Sequence, residues 1–136
     1  MVEINNLSQE QVRERLLRRI ARMVLEGENR GEADLSIALV VEKRMRALNK
    51  IYLKKDRVTN VLSFANGDLG LDEVVLCPAA IRRDAERYGI LFEKELARAL
   101  IHGILHVLGY EHEKNSQMST RMFAKETWYG DRVRFP

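Results

Sequence analysis

The chain has 136 residues, 46% hydrophobic and 32% charged, with 8 glycines and 2 prolines, a composition that excludes a disordered or fibrous protein. This length suits one domain, residues 1–136, around one hydrophobic core. The net charge of +3 does not by itself indicate a nucleic-acid partner. The lone Cys77, the polar start MVEINNLSQE and the lack of a long apolar run together predict a cytoplasmic protein that does not cross a membrane.

A first helix is predicted for the segment SQEQVRERLLRRIARMVLE, residues 8–26, with Ser8 and Gln11 forming a capping box. Its apolar residues fall on one face: Val12, Leu16, Leu17, Ile20, Met23 and Val24. Four arginines share the opposite face: Arg15, Arg18, Arg19 and Arg22. This face is either an ordinary solvated surface or a stripe that binds the phosphates of RNA, because guanidinium groups bind phosphate oxygens well.

The remaining elements follow in chain order. Alternating apolar residues predict a strand over residues 35–41, and a short helix is expected over 42–52. Strands NVLSF and VVLC flank a turn-rich stretch, and a helix is expected from Pro78 to about Tyr88, ending at Gly89. Two last helices are predicted over residues 92–108 and 115–128. The sequence therefore predicts an α+β fold in which several helices pack on a small, mostly mixed sheet.

All three histidines of the chain lie in one stretch, HGILHVLGYEH, residues 102–112. His102 and His106 are four residues apart on a predicted helix, so their side chains lie one above the other. Gly109 is expected to end that helix and let the chain fold back, which brings in His112. Three imidazoles predict one divalent metal ion, with zinc expected, although imidazole also suits nickel, copper and iron.

The same spacing occurs in the metzincin protease signature HExxHxxGxxH. In those proteases the glutamate after the first histidine is the general base, whereas this chain has Gly103 at that position. The absence of this base argues against peptide hydrolysis at a metzincin-like site. A metal ion is still able to assist cleavage of a phosphodiester, because it stabilises negative charge on phosphate oxygens.

The stretch HGILHVLGYEH resembles the HGxLHxxGYDH signature of the YbeY family of metal-dependent endoribonucleases. The segment LNKIYLKKDRVTNVLSF, residues 48–64, is similar to a second block of that family, LNxxYRxKDxPTNVLSF, and MFAKE resembles its closing helix. The resemblance implies a single-strand-specific endoribonuclease that acts in ribosomal RNA maturation and ribosome quality control. It also implies that His102, His106 and His112 bind the metal, and that ribosomal RNA precursors or the ribosome are the partners.

The chain departs from the family pattern at several positions. Leu53 stands where the second block has an arginine, and Lys54 and Lys55 are the nearest substitutes for binding RNA. Val58 replaces a proline, and Glu111 replaces an aspartate beside the third histidine. The loss of the arginine leaves open a non-catalytic ribosome assembly factor with a structural metal, and a hydrolase of peptides or small molecules is a further alternative.

Four further positions allow two interpretations each. Asn60 and Ser63 either belong to an ordinary core strand or face a substrate beside the metal. Trp128 and Tyr129, near the end of the last helix, either stack on bases or close the core. Cys77 is expected to be a buried small residue.

Overall fold

The computed structural model describes residues 1–66, 71–110 and 116–136, with the side chain of Ser116 left out. Within these ranges it contains four strands and five helices. In chain order these are β1 (Val2–Asn6), α1 (Glu14–Gly27), β2 (Leu35–Leu39), α2 (Glu42–Leu53), β3 (Val61–Phe64), β4 (Asp72–Leu76), α3 (Pro78–Tyr88), α4 (Phe92–Val107) and α5 (Ser116–Gly130). The predicted α+β class is confirmed.

The four strands form one mixed sheet in the order β1-β2-β4-β3. The β1–β2 and β2–β4 pairs are parallel, whereas β3 runs antiparallel to β4 and lies at the edge. Strand β1 was not predicted, because its five residues, VEINN, lie in a polar segment. Val2 and Ile4 nevertheless face the core, so the alternation typical of a half-buried strand is present.

Each face of the sheet packs against helices. One face, which includes Ile37 and Val74, joins α1, α3, α4 and α5 in the larger core. The opposite face, which includes Val75 and Leu62, packs against Met45 of α2 in a smaller core that also contains the buried Cys77. Because side chains alternate along a strand, neighbouring residues such as Val74 and Val75 belong to different cores. The burial predicted for Cys77 is confirmed.

Helix α1 begins later than predicted, and the predicted capping box is wrong. The residue before α1 is Arg13, and no side chain caps the helix. Ser8 lies in the turn after β1, where its hydroxyl donates to Asn6 and accepts from the backbone N–H of Glu10. The Ser8 side chain, which suggested the start of a helix, therefore stabilises a turn instead. The predicted apolar face of α1 is confirmed, because Leu16, Leu17, Ile20 and Val24 are all buried.

The strand predicted over residues 35–41 ends earlier, at Leu39. Val41 precedes α2 and is exposed, since the chain turns into that helix. Helices α3 and α4 end as expected, each followed by a glycine with positive φ: Gly89 at 66° and Gly109 at 108°. The turn at Gly109 gives α4, the histidine-bearing helix, a defined end. In the described part of the chain, no helix combines the length and apolarity that crossing a bilayer requires.

Candidate metal centre

Helix α4 presents His102 and His106 side by side at the edge of the sheet. They are one helical turn apart, and their ring centroids lie 4.6 Å from each other at an interplanar angle of 75°. Both histidines line a groove of about 340 Å³ that runs along β3 and also contains Leu53 of α2. The structure thus brings together two of the three predicted ligands in a site that a substrate can reach.

Gly103 allows α4 to lie directly on the sheet. A Cβ atom at this position would stand 2.8 Å from Val74 Cγ1, 3.0 Å from Val61 Cγ2 and 3.2 Å from Ser63 Oγ. The Ser63 hydroxyl donates to the carbonyl of Gly103 at 2.9 Å, which joins the helix to β3. The sheet therefore occupies the space that the general base of a metzincin would need. A side chain longer than that of glycine does not fit at this position.

Glu126 of α5 is a site residue that the sequence analysis did not identify. Its Oε1 lies 2.6 Å from His102 Nδ1, and its side chain is only 12% exposed. A carboxylate on one ring nitrogen orients a histidine and leaves Nε2 to face a metal, the usual arrangement around metal-bound histidines. The only sequence signal was the resemblance of MFAKE to the family's closing helix, because a separation of 24 residues follows no helical or strand period.

The residues present fit a metal ion in part. His102, held at Nδ1 by Glu126, and His106, one turn further along α4, provide two nitrogens of the kind that zinc prefers. The third predicted ligand, His112, and the neighbouring Glu111 lie outside the described residues. Among the residues that are described, no group of three potential ligands comes together.

The chain that leads from α4 towards His112 is held by a buried carboxylate. Glu28, at the end of α1, accepts a hydrogen bond from the Tyr110 hydroxyl at 2.7 Å, and it also accepts from Tyr129 and Lys125 of α5. Burial raises the pKa of Glu28, but the hydrogen bonds from these three side chains outweigh it, so the pKa lies below its usual value. Glu28 is therefore ionised at neutral pH and fixes Tyr110 directly after the Gly109 turn.

The other predicted site residues differ in their distance from the histidines. Leu53 and Ser63 line the histidine groove, whereas Lys54 and Lys55 are exposed beside it and do not line it. Lys54 ends α2 with a φ of 60°, and its ammonium group folds back towards the Ile51 carbonyl at 3.4 Å. The groove therefore has an apolar side chain at the position of the family's arginine.

Asn60 does not line this groove. Its side-chain amide points to Asp84 of α3, with an N···O distance of 3.4 Å. Its carbonyl accepts a hydrogen bond from the backbone of Cys77, so Asn60 joins the end of β4 to the loop before β3. This placement agrees with the structural interpretation of Asn60 rather than with a substrate contact.

The arginines of α1 lie together in a second groove, between α1 and α5. Arg15, Arg18, Arg19 and Arg22 all line it. Trp128 and Tyr129 also border it but differ in burial, since Tyr129 is buried in the core and Trp128 remains 48% exposed. The interpretation that both aromatic residues close the core is thus confirmed for Tyr129 and wrong for Trp128.

The fold and the site together define a class of small α+β proteins in which a histidine-bearing helix packs along the edge strand of a mixed sheet. A family model described as Endoribonuclease YbeY matches residues 3–134. This chain belongs to the YbeY family.

Individual relatives agree with this assignment. An Endoribonuclease YbeY of Geobacter sulfurreducens is 38% identical over 121 residues, which cover 82% of this chain and 81% of the relative. An Endoribonuclease YbeY of Syntrophotalea carbinolica is 33% identical, with 98% and 96% covered. The solution structure of TM1509 from Thermotoga maritima is 32% identical and superposes with a TM-score of 0.70, covering 98% of this chain and 89% of that chain. The similarity thus includes the described sheet and helices as well as the histidine motif.

Proposed function

We propose that this chain is a metal-dependent endoribonuclease that cleaves single-stranded RNA during ribosomal RNA maturation. The observation that carries the proposal is the pair His102 and His106, half-buried in the wall of a groove along β3, in a chain of the YbeY family. The curated relatives are named as endoribonucleases, and RNA is therefore the substrate class. We further propose that the substrate is a ribosomal RNA precursor and that the ribosome is a partner. Both of these proposals rest on the family resemblance.

His102, His106 and His112 are the proposed metal ligands, and zinc is the proposed ion. When bound, such an ion supplies a positive charge that polarises a phosphate oxygen and acidifies a coordinated water. Glu126 is a positioning residue in this proposal, because its contact with Nδ1 fixes the ring orientation and the tautomer of His102. Ser63 and Val61 set the height of α4 above the sheet through their contacts at Gly103.

The cations next to the groove are proposed to act on the RNA outside the histidine pair. Lys54 and Lys55 are exposed at the end of α2, and a bound RNA strand would compete with the Ile51 carbonyl for the ammonium group of Lys54. Leu53 itself provides no charge, so we expect these lysines to add affinity rather than to stabilise the reacting phosphate. Residues 1–136 are proposed to form one domain. The cytoplasmic location stays a prediction from the sequence.

The test is cleavage of a single-stranded ribosomal RNA fragment by the metal-loaded chain. The variant with His102→Ala and His106→Ala removes two proposed ligands, and we expect it to lose both bound metal and cleavage. A matched double variant, Lys54→Ala with Lys55→Ala, leaves the ligands intact and should retain metal and the cleavage products while binding RNA more weakly. Equal cleavage by the native chain and the histidine variant would exclude the proposed site.

A second candidate function is a non-catalytic ribosome assembly factor with a structural metal. The observation that favours it is Leu53, an apolar residue at the groove position where the family has an arginine. This candidate predicts that the native chain binds ribosomal RNA but leaves it intact, and that loss of the metal lowers the thermal stability. The same cleavage experiment, read together with the melting temperature of the histidine variant, separates the two functions.

A further inference from the structure

We propose that the groove between α1 and α5 binds single-stranded RNA as a second contact surface, separate from the histidine groove. The inference rests on the proposed function, since it assigns an additional surface for the same substrate. The groove has a volume of about 660 Å³, and its walls include Arg15, Arg18, Arg19, Arg22, Arg132 and Trp128. Within the described ranges it shares no lining residue with the histidine groove.

The groove is strongly positive. Among the described residues, five arginines and one carboxylate, that of Glu26, line it, so the groove has more positive charge than the net +3 of the whole chain. Arg15 and Arg22 are seven residues apart on α1, so the stripe extends for about 10 Å along the helix. An extended row of cations suits a chain of phosphates better than a single anion.

The arginines of this groove differ from other surface arginines in their partners. Elsewhere on the described surface, five arginines contact carboxylates within 4 Å: Arg13, Arg46, Arg82, Arg83 and Arg98. In the described ranges, no carboxylate forms such a pair with an arginine of the groove. Their charge is therefore available to a polyanion, and concentrating it in one place has a cost in mutual repulsion that a bound RNA would relieve.

An exposed aromatic ring, that of Trp128, borders the groove. The guanidinium of Arg132 lies 3.5 Å from the centroid of Trp128, and its Nη1 donates to the Trp128 carbonyl at 2.8 Å. Trp128 is still 48% exposed beside this cation. Aromatic rings next to arginines bind unpaired bases by stacking, whereas bases inside a duplex are not accessible to them. The combination of phosphate-binding cations and a stacking surface thus favours single-stranded RNA.

Arg19 has a different role from its neighbours. Its guanidinium donates to the carbonyl of Arg134, so it holds the C-terminal segment against α1. The test variant therefore retains Arg19 and changes the other three arginines of α1: Arg15→Gln, Arg18→Gln and Arg22→Gln. A matched control removes the same charge from exposed arginines outside both grooves: Arg44→Gln, Arg57→Gln and Arg87→Gln.

The measurement is fluorescence anisotropy of a labelled single-stranded RNA of about 16 nucleotides, titrated with each full-length, metal-loaded chain at several salt concentrations. A gel run on the same samples shows whether the RNA is intact, and where the native chain cuts it, the same comparison is made with His102→Ala and His106→Ala added to every chain, because that change is expected to prevent cleavage. Each phosphate contact adds about 0.7 to the slope of log K against log salt for a single strand, so the test variant should flatten the slope by about 2. The control variant should leave the slope unchanged. Equal flattening by both variants, or none by the test variant, would overturn the proposal.

A second variant tests the stacking separately. Trp128→Leu keeps an apolar side chain but removes the aromatic face, so binding should weaken by about fivefold or more with no change in the salt slope. Unchanged affinity would remove Trp128 from the proposed surface. Cleavage assays separate this inference from the proposed function: a chain that cleaves nothing but shows the arginine-dependent slope refutes the nuclease and retains the groove. A chain that cleaves RNA but shows no arginine-dependent slope supports the nuclease and refutes the groove.

Discussion

Gly103 is predicted to be the position on α4 that tolerates a side chain least. A Cβ atom there would lie 2.8 Å from Val74 Cγ1 and 3.0 Å from Val61 Cγ2, distances that real Cβ atoms rarely or never show. Both valines are β-branched residues on strands, and Val74 is fully buried, so neither methyl group can move away by a simple change of rotamer. The substitution Gly103→Ala must therefore lift α4 from the sheet or shift the strands.

The size of the effect follows from two opposing contributions. Overpacking a core by one methyl group costs about 1–3 kcal/mol of unfolding free energy. Replacing glycine by alanine inside a helix returns up to about 1 kcal/mol, because the backbone loses less entropy on folding. With two stiff neighbours at 3.0 Å or less, we expect a net loss of about 1–2 kcal/mol, which corresponds to a fall in Tm of about 3–8 °C for a chain of this size.

The assay is thermal unfolding of the native chain and of two glycine variants. Gly130→Ala is the matched control, because it also lies in a helix but a Cβ atom there meets nothing within 4 Å. The control should be as stable as the native chain or slightly more stable. An equal or higher Tm for Gly103→Ala would refute the close approach of α4 to β3 and β4, and with it the explanation of why a metzincin-type glutamate is absent.

Three further predictions concern the site and its support. Leu53→Arg should restore a cation to the histidine groove and raise kcat/KM for RNA, with Tm unchanged within about 2 °C because Leu53 is exposed; an unchanged rate in a folded variant would contradict this. Glu126→Gln should weaken metal binding by about 10- to 100-fold, measured by competition with a chelator, because His102 loses its charged partner. The pKa of Glu28 is lower in the folded chain than in the unfolded chain, so the ionised carboxylate stabilises the fold at pH values above the unfolded-state pKa. This contribution is lost as the pH falls through the folded-state pKa. The Tm difference between the native chain and Glu28→Gln should therefore be largest near neutral pH and shrink in acid; a constant difference would exclude ionisation of Glu28 as its source.

The sequence predicted most elements because their signals are local. The burial of Leu35, Ile37 and Leu39 follows from strict alternation, and the turns at Gly89 and Gly109 follow from residues that adopt positive φ easily. Strand β1 was missed because it is short, lies in a polar segment and pairs in parallel with β2, which is distant in the sequence. The capping box was wrong because the same side-chain hydrogen bonds of Ser8 also stabilise a turn.

The site was predictable only where its residues share one helix. His102 and His106 could be paired because a spacing of four residues fixes their relation on α4. Glu126 lies on α5 and Glu28 directly follows α1, at sequence distances that no period relates to the histidines, so only the tertiary packing brings them to the site. The difference between Lys54, which folds back, and Leu53, which lines the groove, likewise depends on where α2 ends.

The packing of α5 connects the two proposed RNA contacts. Glu126 of this helix holds His102, and Tyr129, three residues later, is buried against α1 and donates to Glu28. Between them in sequence, Trp128 faces the arginine groove. A displacement of α5 relative to α1 would therefore change the width of the arginine groove and the orientation of His102 together. RNA bound between α1 and α5 would therefore lie against the same helix that holds His102, without any direct contact with the histidines.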